Sequence, residues 1–201
     1  MALALTRELR LALSGLALEF VWPRRRDRAL VEEAVKQNGL ALQFTVVRDK
    51  AIVQAAVKQN GTALRFAGDY IEFADVVLEA VKQNGLALEF ACIGLQHDRE
   101  IVLQAVKQNG LALEFSWYYD REVMLEAVKQ DGLALEFAWR HDREIVLEGV
   151  RQNGLSLEFA AQELRDDRHI VLQAVKQNGR ALDFASPELR ADPELVAAAL
   201  P

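Results

Sequence analysis

The chain has 201 residues, 51% of them hydrophobic and 27% charged, a composition that excludes disorder and suits one domain of ordinary size. Its 24 Lys and Arg against 30 Asp and Glu give a net charge of −6, a poor footprint for general nucleic-acid binding. A lone cysteine, Cys92, excludes an intramolecular disulfide framework and favours a reducing intracellular compartment; no apolar run is long enough for a transmembrane helix, so no membrane insertion is expected.

Internal repetition dominates the chain. Thr6 to Ser14 reads as a worn helix, and the following Ser14-Gly15-Leu16-Ala17-Leu18-Glu19-Phe20 is the first copy of a motif that recurs to the end. The segment Val-Lys-Gln-Asn-Gly, or a one-residue variant of it, then appears seven times, ending at Gly39, Gly61, Gly85, Gly110, Gly132, Gly154 and Gly179. Counted from Gly15, the intervals are 24, 22, 24, 25, 22, 22 and 25 residues.

Each unit opens with a helix of about eleven residues, close to the ordinary mean length. Asp27, Asp49, Asp98, Asp120, Asp142 and Asp167 precede apolar-periodic runs and can accept the first free N–H groups; Phe73 breaks the rule in the third unit. At 100° per residue Ile101, Ala105, Val102, Val106 and Leu103 cover an arc wide enough for a helix between two copies of itself. The Asn-Gly pair reads as a stop, with glycine in the left-handed conformation after the last turn.

The second half, Gly-Leu-Ala-Leu-Glu-Phe in its commonest form, has two readings. Leu133, Leu135 and Phe137 alternate as in a strand, which with one helix per unit is the plan of an α/β leucine-rich-repeat-like solenoid. The segment is instead rich in Ala and Leu and almost free of β-branched residues, and Leu133 and Phe137 stand four apart, which favours a short helix with Glu136 outward. Joints from the motif Phe to the next Asp are five residues after Phe44, Phe115 and Phe137, and eight after Phe90, Phe159 and Phe184; the difference is about one helical turn. The long joints are expected to extend the second helix or add a turn.

The expected fold is an all-α helical-repeat solenoid of 22–25-residue helix-turn-helix units. It forms one array over residues 1–201, with an N-terminal capping half-repeat at 1–20, about seven repeats over 21–191 and a capping helix at 192–201 opened by Asp192-Pro193. Asp98–Phe115, and Asp167–Phe184 with His169 in place of the glutamate, resemble the tandem repeat of domain-of-unknown-function family 4116. That resemblance implies an architecture and no activity, so no catalytic residue carries over.

Little in the chain resembles a reaction centre. His97, His141 and His169 have no second His or Cys at helical metal-ligand spacing, Cys92 has no base signature around it, and no cofactor is expected. One cation per unit, Lys36, Lys58, Lys82, Lys107, Lys129, Arg151 and Lys176, forms a column, each able to balance its own helix end or, together, to face an anionic polymer. Glu19, Glu89, Glu114, Glu136 and Glu158 also recur and weaken the second reading.

The joints carry the variation. Trp22, Arg24 and Arg25 form one cluster; Trp117, Tyr118 and Tyr119 form another, with Trp139, Arg140 and His141 one unit further on. Trp, Tyr and Arg are the residue types favoured at interaction hot spots. The sequence therefore leads to a non-catalytic protein-interaction or scaffold module, an accessory subunit of a larger assembly, whose partner is another protein. Polyanion binding by the cation column is the alternative, and the oligomeric state is open.

Overall fold

A computed structural model describes residues 27–118 and 120–200. The chain divides into two compact units, 1–108 and 109–201. The expected half-repeat at 1–20 lies outside the described residues.

The long helices are α1 (Arg28–Gln37), α2 (Lys50–Gln59), α3 (Ala74–Gln83) and α4 (Arg99–Gln108) in the first unit. In the second they are α5 (Arg121–Gln130), α6 (Arg143–Gln152), α7 (Arg168–Gln177) and α8 (Pro193–Ala199). A six-residue 3-10 helix follows each of α1 to α3, at Gly39–Phe44, Gly61–Phe66 and Gly85–Phe90. The second unit contains four more, Gly110–Phe115, Gly132–Phe137, Gly154–Phe159 and Gly179–Phe184. Within each unit consecutive long helices pack on one another, and consecutive 3-10 helices do the same, so each unit is a two-layered stack. Among the described residues there is no strand; each unit has the all-α build of a helical-repeat solenoid, and the leucine-rich-repeat alternative falls.

The helices start where the aspartates are. Asp27, Asp49, Asp98, Asp120, Asp142, Asp167 and Asp192 accept backbone N–H bonds at 2.8–3.3 Å from the first turn. Phe73 supplies no such bond to α3. Four positions of each helix from α2 to α7 are buried, as in Ile101, Val102, Ala105 and Val106 of α4; α1 buries three and α8 only Leu195. Leu103, expected at the rim of the apolar arc, is only partly buried.

The 3-10 segments correct the expected inward pairing of Leu133 with Phe137. A 3-10 helix eclipses residues three apart. Leu133 therefore sits above Glu136 and is exposed, while Gly132, Ala134 and Leu135 face the core and Phe137 is partly buried. Runs of this length are uncommon in isolation; here the stacked copies hold them.

The corner between helix and 3-10 segment also departs from expectation. Among the described residues no corner glycine has a positive φ, and only Gly68 does, at 63°. The asparagine ends the helix in extended conformation, as at Asn153 with φ −145° and ψ 108°. Its side chain turns to the next element: Asn38, Asn60, Asn84, Asn109, Asn153 and Asn178 accept the N–H two residues on at 3.0–3.1 Å. Asp131 does the same with its carboxylate, which is why it can replace asparagine.

The glycine is there because the next repeat lies against it. A Cβ on Gly132 would sit 2.5 Å from the carbonyl oxygen of Gly149 in the following helix. Gly39, Gly61, Gly110, Gly154 and Gly179 are blocked in the same way by Ala56, Ala80, Ala127, Ala174 and Ala199. Their backbones are held by the following repeat's glutamine. The N–H groups of Gly39, Gly61, Gly85, Gly110, Gly132 and Gly154 donate to Oε1 of Gln59, Gln83, Gln108, Gln130, Gln152 and Gln177 at 2.5–2.8 Å. Gln-Asn-Gly is thus an inter-repeat clasp.

The long joints add a turn and do not extend the 3-10 helix. Ile93–Gln96, Gln162–Arg165 and Pro187–Arg190 are single-turn helices, each entered through an extended residue. Two of the short joints instead fold on a hydroxyl: Ser116 Oγ accepts the Tyr118 N–H at 3.0 Å, and Thr45 Oγ1 accepts that of Val47 at 3.0 Å; the third has Ala138 there and turns through Asp142 N–H to the Trp139 carbonyl at 3.0 Å.

Candidate partner-binding surface

Three surface rows run across the stacked repeats, and the second unit shows them most regularly. The first lies at the N-terminal ends of the helices. Arg121 Nε is 2.8 Å from Asp142, Arg143 Nε 3.0 Å from Asp167 and Arg168 Nε 2.9 Å from Asp192. Each arginine begins one helix and binds the cap of the next. Arg121 and Arg168 also reach Glu144 and Glu194. In the first unit Arg28 binds Asp49 at 2.8 Å. Where Phe73 replaces the cap, Lys50 binds Asp75 at 2.8 Å and stacks over the Phe73 ring. The arginine is the residue that sequence reasoning missed, although its recurrence after Asp27, Asp98, Asp120, Asp142 and Asp167 was visible.

This row is electrically satisfied. Arg121, with backbone N–H groups of Ile145 and Glu144, holds the Asp142 carboxyl below its ordinary range. The N–H of Ile52 and then Arg28 do the same for Asp49.

The second row is the cation column, on the outer face one turn before the corner. Lys36, Lys58, Lys82, Lys107, Lys129, Arg151 and Lys176 are all exposed. Lys36 is taken by Glu32 at 2.8 Å, and Arg151 lies 3.9 Å from Glu148. Lys58 borders a cleft of about 250 Å³ lined also by Gln54, Ala55, Asp75 and Glu79.

The third row is the joint edge. Trp117 is 57% exposed and Trp139 45%, so neither indole is a core residue. They follow the stacked 3-10 helices Gly110–Phe115 and Gly132–Phe137 at the same offset. Arg140 is exposed beside Trp139, and its carbonyl accepts the Ala161 N–H of the next joint at 3.0 Å. His141 Nδ1 meets Glu163 at 2.7 Å; the Glu163 carboxyl is held below its ordinary range by its own backbone N–H and then by His141. Tyr118 is partly buried. Trp22, Arg24, Arg25 and Tyr119 lie outside the described residues. Val46 and Ile93 are also exposed on the first unit's joints, at 60% and 69%.

Stacked short helices, a repeated clasp and a variable edge define a tandem helical-repeat protein. The chain belongs to the family described as a domain of unknown function, DUF4116, whose model matches residues 75–116, 120–165, 142–190 and 167–200. No curated protein and no solved structure matches the chain significantly. Among the described residues no helix is long and apolar enough to cross a membrane.

Proposed function

We propose that the chain is a non-catalytic interaction module that docks another protein along the joint edge of residues 109–201. Trp117 and Trp139 are the anchors, with Arg140 beside them. The observation that carries this reading is the exposure of two indoles, 57% and 45%, at one register position of successive repeats. Large aromatic side chains left in water are costly unless something covers them, and Trp and Arg dominate binding energy where interfaces have been dissected.

The test is a capture experiment from source cells with the wild-type chain and a Trp117→Ala/Trp139→Ala variant of unchanged thermal midpoint. The expected result is a protein retained by the wild type and lost from the variant. Equal retention of every captured protein by both chains rejects the joint edge.

A further inference from the structure

The outer face of the second unit has an apolar row beside its cations. Leu125, Leu147 and Leu172 occupy the fifth position of α5, α6 and α7, four residues before Lys129, Arg151 and Lys176, so each leucine shares a helix face with its cation. The three leucines are partly buried and the three cations exposed.

The array does not need leucine there. The same register position holds Glu32 in α1, Gln54 in α2 and Ala197 in α8, and those helices form alike. Glu32 also shows what the cation accepts: its Oε1 meets Lys36 Nζ at 2.8 Å. Where leucine replaces that glutamate, the carboxylate four residues before the cation is gone, and Glu126 and Glu148 stand three before Lys129 and Arg151. Among the described residues Lys129 and Lys176 have no ion-pair partner, and Arg151 has Glu148 at 3.9 Å. The arginines at the other end of the same helices are already taken by Asp142, Asp167 and Asp192.

We infer that the face formed by α5, α6 and α7 binds an extended acidic segment of a partner protein. Its carboxylates meet Lys129, Arg151 and Lys176 as Glu32 meets Lys36 in α1, and its apolar side chains lie on the leucines. Stacked helices are about 8–10 Å apart, and three residues of extended chain span about 10 Å. One acidic residue in every three therefore meets one cation per repeat. Glu126 and Glu148, one position after Leu125 and Leu147, repel a continuous polyphosphate more than carboxylates spaced one per repeat. This surface is separate from the joint edge.

Fluorescence anisotropy on the full chain tests the inference with four labelled probes: a ten-residue peptide of repeated Glu-Leu-Ala, its Lys-Leu-Ala counterpart, the Glu peptide with its acids contiguous, and oligo-dT. The Glu-Leu-Ala peptide is expected to bind best. Lys129→Gln/Arg151→Gln/Lys176→Gln should weaken it about tenfold or more, as should Leu125→Gln/Leu147→Gln/Leu172→Gln, which installs the residue of Gln54. Trp139→Ala should leave it unchanged. No binding of the Glu-Leu-Ala peptide, equal binding of the Lys peptide, or loss on Trp139→Ala overturns the inference. Oligo-dT binding that matches the peptide's and ignores the leucine variant overturns it in favour of a nucleic acid. The peptide comparisons on the wild type decide the matter even where a triple variant folds poorly.

Discussion

The two ends of a repeat obey different rules. At the corner, Gln, Asn and Gly each contact another element: the glutamine binds the preceding repeat's glycine N–H, the asparagine caps the next 3-10 helix, and the glycine admits a neighbouring carbonyl. The one change there among the described corners is Asp131 for asparagine, which keeps the accepting oxygen. At the joint, neighbours are tied mainly by backbone, as in Ala161 N–H to Arg140 and Ser186 N–H to Arg165 at 3.0 and 3.3 Å. Side chains at the joint are free to vary, so the joints hold the exposed Val46, Ile93, Trp117 and Trp139. Identity at one end and diversity at the other separate what holds the stack from what meets a partner.

The sharpest way to break this contrast is Gly132→Ala. Its methyl would meet the Gly149 carbonyl at 2.5 Å, and forcing two backbones apart is expected to cost about 3 kcal/mol in denaturant unfolding. Gly68→Ala is the control: nothing lies within 4 Å, but φ is 63°, so backbone strain alone should cost about 1 kcal/mol. Equal losses would refute the close-approach explanation of the corner glycine.

Gln152→Ala comes next. It strands the buried Gly132 N–H, for an expected loss of about 1–3 kcal/mol. Gly149→Ala should act in the opposite direction. The added methyl finds Gly132, Leu135 and Ser156 at 3.5 Å, ordinary contact, and alanine is favoured over glycine inside a helix by about 1 kcal/mol. A fall in the unfolding midpoint would show that Ser156 already fills that space.

The smallest effects belong to the charged row. Asp49 and Asp142 are held below their ordinary ranges by N–H bonds and arginines. A carboxylate with a depressed folded-state pKa stabilises the fold above its unfolded value, and that contribution is lost as pH falls through the folded value. Thermal midpoints should therefore stay level from neutral pH to about 5 and fall below about 4. Asp142→Asn should flatten the acid limb and change the neutral midpoint little, since exposed ion pairs contribute about 0.5 kcal/mol.

Much of this was legible in the chain itself, because repetition averages out local ambiguity. Seven copies of one motif fix the period, the aspartates mark the helix starts, and Ile, Val and Ala at fixed offsets mark the buried face. These are near-neighbour effects, set by hydrogen bonding within a few residues and by a 100° turn. The exposure of Trp117 and Trp139 could be suspected from their place in the variable joints.

What the tertiary structure decided is everything that needs two repeats at once. That Leu-Ala-Leu-Glu-Phe is a 3-10 helix depends on the copies stacked beside it. The corner glycine answers to a carbonyl 17 residues further on, Gly149 for Gly132, and Arg28, Arg121, Arg143 and Arg168 each answer to the next aspartate. No local propensity encodes a distance between chains of atoms brought together only by packing.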